Sequence, residues 1–132
     1  MIVLDTHILV WWATGDLTKL SPNAISAVNQ ELAGGEIIVS SITAWEIAML
    51  IAKERIVISM DLDEWLSTIA QIDAVKFYVI DNDIAVKSAS LPGEFHKDPA
   101  DRMIVATARK LGCGLVTADE KILNYLHVKT IW

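Results

Sequence analysis

The sequence predicts an α/β fold built on a mostly parallel sheet. Three observations carry that prediction. Short apolar runs rich in β-branched residues recur along the chain, as in Ile2-Val3-Leu4 and Ile37-Ile38-Val39. They lack polar alternation, so they read as strands covered on both faces. Longer segments with apolar residues at helical spacing separate them, which implies strand–helix–strand units. Two of the runs close on a carboxylate, at Asp5 and at Asp119, and open α/β sheets collect ligands at the carboxyl ends of their strands.

Taken in order, Ile2 to Leu4 is the first strand, and Thr6 to Trp12 opens a helix or a short irregular turn. Ser21-Pro22 is a strong helix start, with Ser at the cap and Pro at the first helical position. That helix should run to about Ala33, with Ile25, Val28 and Leu32 inward, and Gly34-Gly35 should stop it. Glu36 to Ser40 is the second strand. Ile42 to Ala52 reads as a helix apolar nearly all round, with Glu46 its only charge, and such a helix should be largely buried. Arg55 to Ile58 is a short extended piece. Asp61 or Asp63 caps a helix that turns Trp65, Leu66 and Ile69 inward, and Val75 to Ile80 is the third strand. Asp81 or Asp83 opens a helix to about Ser90. After a polar loop, Glu94 to Asp98, Pro99 starts a helix ending near Gly112, with Ile104, Val105, Ala108 and Leu111 as its stripe. Gly114 to Thr117 is the fourth strand, Glu120 to Tyr125 a short helix, and Val128 to Trp132 a last strand.

At 132 residues the chain reads as one domain, residues 1–132, large enough to bury a core. Its 53% hydrophobic content and mean hydropathy of +0.41 exclude a disordered chain and hint at spare apolar surface for a partner. The net charge of −6 gives no bulk attraction for nucleic acid, so any such role needs a local basic patch or a metal ion. Cys113 stands alone, which excludes an internal disulfide and suits a reducing compartment. With no secretory leader and no apolar run of membrane-spanning length, a soluble cytoplasmic protein is expected, with no membrane role.

Four acids stand out. Asp5 and Asp119 follow strands and should emerge at the same sheet edge. Glu46 is the lone charge on an apolar helix, and Asp101 lies on the inward stripe of its helix. Buried carboxylates gathered together repel one another unless a cation sits among them. An all-oxygen set suits Mg²⁺ or Mn²⁺. The chemistry open to such a site is phosphodiester hydrolysis, in which the cation acidifies water and offsets charge on the phosphate.

Each acid also has a structural reading. Asp5 and Asp119 can cap the helices that follow them, and Asp98, just before Pro99, is a natural cap. Thr43 to Glu46 and Thr117 to Glu120 both fit capping boxes. Arg102 can hold a carboxylate or meet a phosphate, and His96, Lys97 and Arg102 form a small basic cluster. Thr6 and Thr117 can bond a carboxylate or a water at the site. Among the tryptophans, Trp45 and Trp65 read as core or interface, while Trp11 or Trp12 lies near enough to Asp5 in sequence to line the site.

Leu4-Asp5-Thr6, Trp45-Glu46-Ile47-Ala48, Asp98-Pro-Ala-Asp101-Arg102-Met-Ile-Val-Ala106 and Leu115-Val-Thr-Ala-Asp119 together resemble a PIN domain, and within that family a VapC-type toxin of a toxin–antitoxin pair. The resemblance spans the chain in order and spacing. It implies a three-layer α/β/α fold, a Mg²⁺- or Mn²⁺-dependent endoribonuclease acting on RNA, a cognate antitoxin that covers the acidic groove, and a homodimer. Carried over by position, Asp5, Glu46, Asp101 and Asp119 are its metal and catalytic acids; Thr6, Asp98, Arg102 and Thr117 would support them or touch substrate. An inactive scaffold of the same fold is the alternative. A haloacid-dehalogenase-type phosphatase would need an acid where His7 stands, and a receiver domain would need adjacent acids after the first strand.

Overall fold

A computed structural model describes all 132 residues. Five parallel strands form one sheet in the order β3-β2-β1-β4-β5. These are β1 (Ile2–Leu4), β2 (Ile37–Ser40), β3 (Val75–Tyr78), β4 (Gly114–Val116) and β5 (Thr130–Ile131). The helices are α1 (Thr6–Ala13), α2 (Pro22–Leu32), α3 (Ser41–Ala52), α4 (Leu62–Ala70), α5 (Asn82–Ala89), α6 (Pro99–Leu111) and α7 (Glu120–Leu123).

Successive side chains of a strand point to opposite faces, and the core divides accordingly. Ile2, Leu4, Ile37, Val39 and Val116 join one buried cluster with Ile8, Leu9, Val28, Trp65 and Ile69, which come from α1, α2 and α4. Val3, Ile38 and Leu115 turn the other way and meet Ile84, Ile104, Val105 and Ile122, from α5, α6 and α7. The sheet is therefore the middle layer of an α/β/α sandwich, which is why its central strands carry no polar alternation.

The chain builds outward from β1 through β2 to β3, then returns to the other side of β1 for β4 and β5. β1 and β4 are thus neighbours at the point where the winding reverses, with Leu4 level with Val116. Adjacent crossovers diverge there, opening a crevice beyond the strand ends. Asp5 leaves β1 at that crevice, its N–H donating to the Val116 carbonyl at 3.0 Å.

Several elements differ from the sequence expectation. Thr6 to Ala13 is a regular helix because the Asp5 side chain caps it. The α2 stripe is Ala24 and Val28 with Ile25 partly covered, while Leu32 faces solvent. β3 stops at Tyr78, and Val79 is exposed. β5 is reduced to two residues at the sheet edge, and α7 ends at Leu123. α3 is not largely buried: only Thr43 and Ile47 are, and Trp45 is 55% exposed beside exposed Met49. Ile42 and Ile51 pack at the edges of the two core clusters. No helix is long and apolar enough to cross a membrane.

Candidate functional site

The crevice at the β1–β4 junction is an open cleft of about 430 Å³, lined by Asp5, His7, Trp11, Glu46, Asp98, Asp101, Ala118 and Asp119. Five of these eight are carboxylates, and each arrives for a local reason. Asp5 ends β1 and Asp119 follows β4. Glu46 lies in the second turn of α3, which leaves β2 directly after Ser40. Asp98 and Asp101 open α6, where Asp98 Oδ1 accepts the Asp101 N–H at 3.0 Å. The four acids singled out in the sequence are brought together, and Asp98 joins them.

Asp98 is both cap and site residue. One carboxylate oxygen each from Glu46, Asp98 and Asp101 lies within 4.8 Å of the others, so the tightest group of acids contains the residue that sequence reasoning placed in a supporting role. Asp5 and Asp119 complete the wall. Asp119 Oδ1 accepts the Lys121 N–H at 2.8 Å, capping α7. Capping therefore fixes these carboxylates at the cleft without withdrawing them from it.

Asp5 is the most buried of the set, at 7% exposure. Its Oδ1 accepts the Thr6 N–H at 2.8 Å and its Oδ2 accepts the Thr117 hydroxyl at 2.7 Å. Thr117 in turn accepts the Asp119 N–H at 3.0 Å. Thr6 Oγ1 sits 3.1 Å from Thr43 Oγ1, both fully buried. Neither predicted capping box forms: α3 is capped by Ser40 and α7 by Asp119, which leaves Thr43 and Thr117 to the network around the acids.

The electrostatics follow from burial and crowding. Desolvation pushes the Asp101 carboxyl up to about 8, and the charges of Asp5, Asp98, Asp119 and Glu46 add to the rise. Burial raises Asp5 as well, against the pull of its hydrogen bonds to Thr117 and Thr6 and the influence of His7. Glu46 is raised chiefly by burial and opposed by the hydroxyl of Thr6. A carboxyl raised to about 8, as at Asp101, holds at neutral pH a proton that an isolated carboxylate would have lost.

Arg102 lies apart from the acids. Its guanidinium donates to the carbonyls of Ser88, Phe95 and His96 at 2.7, 2.9 and 3.0 Å, and so ties the loop before α6 to α5. It neither pairs with a carboxylate nor lines the cleft, because those carbonyls are within reach and the acids face the other way. The basic cluster expected around it is thus divided. His96 accepts the Asp98 N–H at Nδ1, which leaves the proton on Nε2. That Nε2 is buried, lies 3.1 Å from Asp101 Oδ2, and is off line for a hydrogen bond.

Sequence reasoning missed Thr43 and His7 as parts of the site, and placed His96 only in a basic cluster beside the acids. The available signals were spacing: Thr43 is one helical turn before Glu46, and His7 is two residues past Asp5. Trp11 lines the cleft, and Trp12 packs into a separate apolar groove of about 730 Å³ with Val57, Met60 and Trp65.

The chain matches the family model described as PIN domain over residues 2–126. It is 33% identical over 133 aligned positions to Ribonuclease VapC22 of Mycobacterium tuberculosis (strain ATCC 25618 / H37Rv), covering 99% of this chain and 98% of that protein. Its fold is similar to that of VapBC2 from Rickettsia felis bound to a DNA fragment from its promoter (TM-score 0.68, 17% identity, 98% of this chain and 97% of that one). It is also similar to a chain of a toxin–antitoxin complex from Klebsiella pneumoniae (TM-score 0.61, 25% identity, 96% of this chain and 92% of that one). With this fold and this match over nearly its whole length, the chain belongs to the PIN domain family.

Proposed function

We propose that this chain acts as one nuclease unit, a divalent-metal-dependent endoribonuclease that hydrolyses RNA phosphodiester bonds, and that it is the toxin of a toxin–antitoxin pair held inactive by its antitoxin. The observation that carries this reading is the convergence of five carboxylates on one cleft, three of them with oxygens within 4.8 Å of one another. The ribonuclease relative supports the activity, and the toxin–antitoxin complex from Klebsiella pneumoniae supports the partner.

The donor set fits Mg²⁺ or Mn²⁺. It is all oxygen, offers no thiolate and has its charge uncompensated by any Lys or Arg along the cleft. Glu46, Asp98 and Asp101 would hold the ion, with Asp5 and Asp119 contributing charge from the strand side. The chemistry such an ion supplies is Lewis acidity toward phosphate and a lower pKa for water.

The chain's own residues prepare that site. Thr117 and the Thr6 N–H fix both oxygens of Asp5, so its carboxylate cannot turn away from the cleft. The buried Thr6–Thr43 hydroxyl pair joins α1, which Asp5 caps, to α3, which carries Glu46. Asp101, its carboxyl raised to about 8, would hold a proton at neutral pH with no ion bound. The exposed apolar groove near Trp12, and Trp45 and Met49 on α3, leave surface for the antitoxin to cover.

The test is cleavage of total RNA by the purified chain with Mg²⁺ or Mn²⁺. Fragments that appear only with metal and vanish with EDTA are expected. Metal-independent cleavage, or none under any ion, would overturn the reading.

A further inference from the structure

The cleft poses a problem for an RNA substrate. Five of its eight lining residues are acids, and none is Lys or Arg. The whole chain carries a net charge of −6. A polyanion entering the cleft therefore finds no fixed cation on its walls. Only His7, Trp11 and Ala118 offer something other than negative charge.

His7 and Trp11 are four residues apart on α1, so they share a helix face, and their rings lie 5.8 Å apart at 50°. Asp5 caps the same helix, so the helix that carries both rings starts at the acids. Core filling does not account for Trp11. Ile8, Leu9 and Val10 bury the inner face of α1, while Trp11 stays half-buried, one edge against the core cluster and the rest on the cleft wall. Lys19, paired with Asp16 at 3.2 Å, lies 5.9 Å from the centre of the Trp11 ring and is the nearest cation to it.

We propose that Trp11, flanked by His7, is a stacking platform for an unpaired nucleobase of the RNA next to the bond that is cut. The inference rests on the ribonuclease reading and adds how the substrate is held. A π-face accepts any base, so the platform selects single-stranded or looped RNA over duplex and not one sequence over another. It places the base on one side of the acids, and thereby the adjoining phosphate over them.

The test compares wild type, Trp11→Phe and Trp11→Leu. Leucine keeps apolar bulk at the core edge but removes the π-face, and phenylalanine keeps both. Fluorescence anisotropy in Mg²⁺ measures binding of short labelled homopolymer RNAs, single-stranded, and of an RNA duplex of the same length. Trp11→Leu should weaken single-stranded binding on the order of tenfold, Trp11→Phe should stay near wild type, and duplex binding should not respond. The same preparations are tested for cleavage of total RNA and for thermal unfolding. If wild type cleaves and both variants bind single strands as it does, the platform is wrong, while the nuclease reading stands. If wild type cleaves yet Trp11→Leu weakens single-stranded and duplex RNA equally, the ring contributes shape alone and the proposal fails. If wild type neither binds nor cleaves RNA, the ribonuclease reading itself has failed, and the platform with it.

Discussion

Thr117 donates a 2.7 Å hydrogen bond to Oδ2 of Asp5, joining the ends of β4 and β1 across 112 residues of sequence. The contact exists because these two strands are neighbours where the sheet reverses its winding. It ties the first acid of the site to the loop that carries the last.

Replacing Thr117 by Val keeps the shape and removes the donor. Asp5 is buried, so losing a partner should cost ~1–3 kcal/mol of stability at a pH where Asp5 is ionised, and nuclease activity should fall. Thr117→Ser should retain most of both. Urea unfolding and cleavage rates on the same preparations check this.

Asp101→Asn should separate stability from function. It removes a carboxyl that burial and four neighbouring charges push up to about 8. In metal-free buffer at neutral pH the variant should unfold at a temperature higher by roughly 3 °C or more, while cleavage is abolished. A less stable, inactive variant would mean that Asp101 is held by favourable contacts, contrary to the electrostatics described.

The pH dependence has a definite sign. The folded protein binds the Asp101 proton more tightly than the unfolded chain does, so between the ordinary carboxyl range and about 8 the folded state holds more protons. Metal-free stability should therefore fall as pH rises through that window, by at most ~1.4 kcal/mol per pH unit from this group, and level off above it. Mn²⁺ should stabilise the protein more at the alkaline end than at the acid end. Thermal melts across pH, with and without Mn²⁺, measure both effects.

His96 backs Asp101, its buried Nε2 lying 3.1 Å from Oδ2 without forming a hydrogen bond. Groups behind a metal ligand typically set its orientation, and removing one costs about 10- to 100-fold in metal affinity. His96→Ala should weaken Mn²⁺ binding by about tenfold, and His96→Gln, which restores an N–H donor, should recover part of it. Calorimetric titration of Mn²⁺ gives the affinities.

The sheet was legible because buried strands and helical stripes leave distinct periods, and because Asp5 and Asp119 mark the strand ends that open on the cleft. The four principal acids were legible for the same reason: a charge in an apolar context is conspicuous. Asp98 was harder to place because one residue serves as cap and as part of the carboxylate group, and spacing alone reports only the cap. Arg102 looked like a substrate or carboxylate contact, yet three carbonyls, of α5 and the loop before α6, claim its guanidinium. Tertiary hydrogen bonds of that kind leave no local pattern. α3 was read as buried from its composition, but Trp45 and Met49 lie on its open side, because apolar residues on an exposed face look the same in sequence as apolar residues in a core.

The most direct test of the central claim, that these carboxylates are gathered to hold a divalent cation, is calorimetric titration of Mn²⁺ into metal-free protein near pH 7, in two buffers of different ionisation enthalpy. Wild type should bind with release of protons, since Asp101 must give one up, and Asp101→Asn should bind far more weakly and release fewer. If wild type takes up no Mn²⁺, or binds it with no proton release and no loss in Asp101→Asn, the cluster is not a cation site and the metal-dependent nuclease reading is contradicted.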